Sequence, residues 1–154
     1  MSDPRDHLTL ADGGDGTIPA YAVEKARKAV AAHRESFAMA LAAGIPVVAG
    51  TDAGAPNLPH PSLVDELEAL HEYGMPVLEA LKAATSGAAA AMGHQDRAGR
   101  IRLQAPADLV VVEGDPFADL ANLRKVWGVV RGGRPLANRS AFDGHPSTPS
   151  VEVL

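Results

Sequence analysis

The sequence predicts an α/β chain: a mainly helical first part around one short buried strand, followed by a small antiparallel sheet. Three observations predict it. Apolar residues recur at helical spacing through much of residues 19–92. The run Ile45-Pro46-Val47-Val48-Ala49 is continuously apolar, as in a parallel strand buried on both faces. Beyond Gly99 the apolar residues become β-branched and alternate with polar ones.

Residues 1–17 are rich in Asp and Gly, with a short strand end at Leu8-Thr9-Leu10 and an open loop through Gly16. A long helix is expected over 19–43: Pro19 suits a first turn, and Val23, Ala26, Val30 and Phe37 share helical spacing. Gly44 should stop it, since glycine takes the left-handed conformation past a helix end without steric cost. The strand at 45–49 follows, with Pro46 near its start, where proline is tolerated. A Gly-, Pro- and Asn-rich loop spans 51–61. Ser62 to Asp65 then resembles a capping box and opens a helix over 62–73 with the stripe Leu63, Leu67, Leu70, stopped by Gly74. A further helix is predicted over 76–92, ending at Gly93. Residues 99–137 read as a small sheet: Ile101 and Leu103 alternate with Arg, Leu109 to Val112 and Val126 to Val130 are β-branched runs, and Gly132-Gly133 marks a two-residue hairpin turn. Residues 138–154 have no periodicity and are expected to form a loose tail.

Composition narrows the function. The 154 residues carry 14 Lys and Arg against 19 Asp and Glu, a net charge of −5, and no basic run beyond scattered pairs. A nucleic-acid partner is therefore not expected. The absence of cysteine excludes disulfides, thiolate nucleophiles and Cys-based zinc sites, and fits a reducing, cytoplasmic setting. No secretory leader opens the sequence and no apolar run approaches the ~20 residues of a membrane helix, so no membrane partner is expected either.

The segment richest in chemical information is Val47-Val48-Ala49-Gly50-Thr51-Asp52-Ala53-Gly54. A carboxylate just past the C-terminal end of a buried parallel strand sits where α/β enzymes keep their active sites. On pattern alone, Asp52 reads equally as a turn former. The neighbouring residues carry a resemblance that weighs between the two. Ile45 through Gly54 is similar to the last barrel strand of the amidohydrolase superfamily, in the branch of imidazolonepropionases and metal-dependent Xaa-Pro dipeptidases. In order after it come His60-Pro61-Ser62, resembling that branch's His-Gly element with proline in place of glycine, and Asp65-Glu66-Leu67. Tyr73-Gly74-Met75-Pro76, Glu79 to Thr85, Asp96 to Ile101 and Ala107 to Pro116 continue the series. The similarity runs from about Thr9 to Pro135, and its strength lies in the ordered series.

The resemblance implies that residues 1–98 are the C-terminal part of a metal-dependent (β/α)8 barrel, a TIM barrel, and that 99–137 belong to a small β-sandwich domain. It implies hydrolysis of a C–N bond in an amide or cyclic amide of a small-molecule substrate. Asp52 would be both ligand to a divalent metal, zinc by the family's habit, and proton acceptor for the attacking water; a bound metal lowers water's pKa from about 15.7 to about 7. His60, in the loop after the strand, would face the substrate, although an ordinary loop histidine explains it as well.

The same resemblance exposes what 154 residues lack. A full barrel takes about 250, and the family's metal site also needs a His-x-His pair, which none of the six histidines forms. A catalytic zinc typically has three protein ligands, so a metal is expected only if another chain supplies the missing ones, and the isolated chain is expected to be inactive. The alternative is a non-catalytic truncated fragment, or a subunit that completes a barrel with another chain. A strand such as 45–49 with unpaired edges also favours association, as a homo-oligomer or with a complementing chain. Other candidates have plainer explanations. Glu68-x-x-His71 has metal-pair spacing but borders the apolar stripe, and His33 lies beside Arg34 and Glu35 on a polar helix face. Asp12 to Gly16 lacks an EF-hand's alternation, while Asp108 reads as a strand-entry residue, Asp115 as an Asp-Pro turn residue and 80–91 as an alanine-rich packing surface.

Overall fold

In the computed structural model, which describes residues 20–53, 60 and 63–138, the first long periodicity forms α1 (Ala20–Ala42). Helices α2 (Leu63–Glu72), α3 (Val77–Ala83) and α4 (Ser86–Ala91) follow. Glycine ends α1, α2 and α4 alike. Gly44, Gly74 and Gly93 have φ of 67°, 103° and 72°. At each, the glycine N–H bonds a carbonyl three residues back and the next N–H a carbonyl five back, as in Ile45 N–H to Ala40 O at 3.0 Å and Met75 N–H to Leu70 O at 3.0 Å. This is the Schellman arrangement, and it satisfies carbonyls the helix leaves without partners.

The core is small. Phe37 from α1, Leu67 and Leu70 from α2, Met75, and Ala80 and Ala83 from α3 are buried together with Leu120. Leu63, expected on the same stripe, is 45% exposed. Tyr73 braces α1 against the end of α2: its ring meets Phe37 and His33 edge-on, each with centroids 6.1 Å apart. Arg34 lies over it at 4.5 Å while pairing with Glu72 at 3.1 Å.

The expected helix 76–92 is two helices. The chain turns at Ala84–Thr85, where the Thr85 hydroxyl donates to Leu81 O at 2.7 Å and Thr85 adopts φ −127°, ψ −96°. A side-chain hydroxyl that bonds back to the preceding turn competes with the backbone ladder, and here it accompanies the break.

Three antiparallel strands, β1 (Leu109–Val112), β2 (Val126–Arg131) and β3 (Arg134–Asn138), lie in the order β1-β2-β3. Gly132-Gly133 forms the tight β2–β3 turn, with Arg131 opposite Arg134. A 3-10 helix (Leu120–Arg124) joins β1 to β2, and the Asp119 side chain accepts from Ala121 N–H at 2.9 Å to cap it. The expected strand around Ile101 and Leu103 is absent; both side chains are exposed, at 89% and 96%. Residues 45–50 are not strand either, because among the described residues no neighbouring segment offers them a ladder. The short strand end at 8–10, the Asp12–Gly16 loop, Ser62 of the capping box and the tail from 139 lie outside the described residues. No described helix is long and apolar enough to cross a membrane.

Candidate functional site

Residues 45–50 have one wall of support. Val47 and Ala49 pack partly buried against the core, while Ile45 and Val48 point away, 56% and 44% exposed. Two hydrogen bonds fasten the end of the segment. Ala49 N–H donates to Ala83 O at 3.1 Å, at the end of α3, and Gly50 N–H donates to the Glu66 carboxylate at 3.4 Å, from α2. The chain then bends: Thr51 Oγ1 accepts from Ala53 N–H at 3.2 Å, and Asp52 between them takes φ 48°. Aspartate is among the few residues that enter this left-handed region with tolerable strain.

The Asp52 carboxylate is exposed and makes no hydrogen bond or ion pair with the described residues. His60 is exposed as well, and no described contact joins it to Asp52. Among the described residues no group of three His, Cys, Asp or Glu side chains could hold a metal. One exposed carboxylate is a single donor, so the described residues do not fit a catalytic metal by themselves.

The remaining sequence candidates have other work. Glu68 pairs with Arg124 at 2.6 Å, and His71 Nδ1 hydrogen-bonds Met75 O at 2.8 Å, so the pair is not poised as two metal ligands. Asp108 accepts from Gly132 N–H at 2.6 Å, tying the loop before β1 to the β2–β3 turn, and Asp115 accepts from Phe117 N–H at 2.8 Å as a turn former. Glu66 is the residue sequence reasoning passed over as a support of the Asp52 loop. Its signal was an acid set directly beside the buried Leu67, on the border of the apolar stripe rather than on the open face.

Arg124 is the other unforeseen group. From the 3-10 helix it reaches both Asp65 and Glu68 on α2. Its hydrogen bond donated to Glu68 raises its pKa above the ordinary guanidinium value; desolvation opposes this, and the bond donated to Asp65 adds to the rise. The helix that carries Glu66 is thereby tied to the sheet's connecting segment.

Comparison with known proteins bears on what this arrangement belongs to. The sequence pattern of the Amidohydrolase family matches residues 6–136. Ochratoxinase of Aspergillus niger is 31% identical over 114 residues, which are 73% of this chain and 23% of that protein. The crystal structure of A. niger ochratoxinase superposes with a TM-score of 0.70 at 29% identity, covering 85% of this chain and 30% of the other. That of a Xaa-Pro dipeptidase with methionine bound in its active site gives 0.71 at 27% identity, covering 84% and 32%. This chain therefore spans between 23% and 32% of the length of these relatives.

Proposed function

The chain belongs to the amidohydrolase family, and from that premise we propose that it supplies the last active-site carboxylate, Asp52, to a hydrolase of amide or cyclic-amide C–N bonds. Asp52 accepts the proton of the attacking water, as a positioned carboxylate can in general-base catalysis. It is also the one donor this chain offers to a divalent metal. The described residues alone do not supply a catalytic metal's donors, so in this reading the other donors come from elsewhere, and the isolated chain is expected not to turn over substrate. The names of the relatives support the reaction class: dipeptidase and ochratoxinase, each matched over most of this chain.

The single observation that carries the reading is the Asp52 carboxylate: exposed, without a partner among the described residues, and set at φ 48° where an extended apolar segment ends. Asp115, by contrast, spends a side-chain oxygen on the Phe117 N–H two residues on, the ordinary use of a turn aspartate. A second reading, a non-catalytic piece that only completes a barrel, is favoured by the absence of a three-donor group among the described residues.

Mixing the chain with the N-terminal barrel portion of an ochratoxinase-like relative separates the two. The catalytic reading expects the mixture to bind zinc and hydrolyse an N-acyl amino acid, with Asp52→Asn abolishing hydrolysis while the complex still forms. Hydrolysis undiminished by Asp52→Asn overturns the assignment of Asp52. Stable assembly without activity in the unsubstituted chain supports the non-catalytic reading and overturns the catalytic one.

A further inference from the structure

A cavity of about 520 Å³ opens between three stretches distant in sequence: the turn after α4 (His94, Arg97), the loop before β1 (Pro106, Asp108) and the β2–β3 turn (Arg131, Gly132). Small-molecule sites occupy roughly 300–1,000 Å³, so the space suits a ligand rather than a single water.

Its walls are fastened by backbone. Gly132 N–H donates to Asp108 at 2.6 Å and Gly133 N–H to Ala107 O at 3.0 Å, which joins the hairpin turn to the loop before β1. Arg97 N–H and Ala98 N–H both donate to His94 O, at 2.9 and 3.0 Å, and His94 N–H donates to Ala89 O at 2.7 Å, which fixes the opposite wall to the end of α4. The backbone frame of the site is thus formed in advance, and the ordering cost left to binding is that of the arginine side chains.

Two arginines line the cleft. The chain's net charge is −5, and Arg34 and Arg124 each hold a carboxylate. The guanidiniums of Arg97 and Arg131 make no hydrogen bond or ion pair among the described residues, yet both line one cleft. A guanidinium presents planar, forked donors that match a carboxylate or phosphate. The one acid in the cleft, Asp108, has an oxygen committed to the Gly132 amide. Its charge disfavours a second anion beside the first, and its remaining oxygen can accept from a hydroxyl or ammonium on the same ligand.

We propose that this cleft binds a small molecule bearing an oxyanion, carboxylate or phosphate, through Arg97 and Arg131. The site lies on segments separate from the Asp52 loop and does not depend on the catalytic reading.

The test is calorimetric titration of the chain at low ionic strength with inorganic phosphate and, separately, with glycolate. Sodium chloride is the ionic-strength control. Saturable binding is expected for at least one probe, weakened roughly tenfold in each of Arg97→Gln and Arg131→Gln, as loss of one charge-assisted bond implies. Arg100→Gln, exposed and outside the cleft lining, should leave it unchanged. The substituted side chains are surface groups, and circular dichroism checks that each variant keeps its helices. The stronger probe tells a phosphate ligand from a hydroxycarboxylate. No saturable response beyond that to chloride, or binding indifferent to both arginine variants, overturns the proposal.

Discussion

Asp52 combines two properties that can be pulled apart by substitution: its charge and its backbone. The left-handed φ of 48° is tolerated by aspartate and asparagine but costs most L residues about 1–2 kcal/mol, and β-branched ones are the worst placed. Asp52→Asn should therefore leave unfolding free energy within about 0.5 kcal/mol of the parent, since the exposed carboxylate makes no described contact to lose. Asp52→Val should cost about 1–2 kcal/mol. Urea unfolding of the three proteins measures this. Equal stability of the valine variant would mean that the turn relaxes out of the left-handed region, and a large loss in Asp52→Asn would mean that the charge serves the fold. The local pattern, a carboxylate between glycines after an apolar run, left Asp52 open between a site residue and a turn former, and the family resemblance singled it out. Its conformation was not legible, because it depends on the Thr51 hydroxyl closing on Ala53 N–H and on Gly50 being held from α2.

Elements that end or turn locally were readable; those joined across the chain were not. The three glycine stops and the Gly132-Gly133 turn follow from residues adjacent in sequence, and each stands where the pattern put it. The break at Thr85 escaped because alanine-rich sequence favours continuing a helix, while one hydroxyl bonding back to Leu81 accompanies its ending. The alternation at Ile101 and Leu103 suggested a strand, but alternation without a neighbour makes no ladder. The Arg124 clamp joins groups 56 and 59 positions apart, beyond any local pattern. Arg124→Met tests what it contributes. It should destabilise the chain by about 1–2 kcal/mol, above an exposed pair because one guanidinium serves two partly buried carboxylates. The difference between parent and variant should shrink at high salt, where screening weakens the parent's ion pairs. A salt-independent loss would point to lost packing of the arginine stem instead.

At the scale of the whole molecule, the balance of apolar surface decides how the chain behaves alone. Among the described residues, fourteen large apolar side chains are exposed, against eight buried apolar residues of which three are alanine. Single exposed apolar residues are ordinary, but several of these mark unpaired backbone. Ile45 and Val48 lie on the extended segment without a ladder, Val110 and Val111 on edge strand β1, and Leu136 on edge strand β3. Fully burying one such side chain stabilises by about 1.5–3 kcal/mol, and edges with open N–H and C=O groups invite further strands. In the proposed reading, cover for this surface comes from another copy or a complementing polypeptide. Sedimentation velocity should accordingly show concentration-dependent association, and a dye that lights up on apolar surface should bind. Ile101→Ser with Leu103→Ser probes the loop's share: at 89% and 96% exposure these side chains contribute little to the fold, so the double variant should associate less while its unfolding midpoint hardly moves. A dye-silent monomer with one cooperative unfolding transition would show instead that this small core, with Phe37, Leu67 and Leu70 at its centre, suffices unaided.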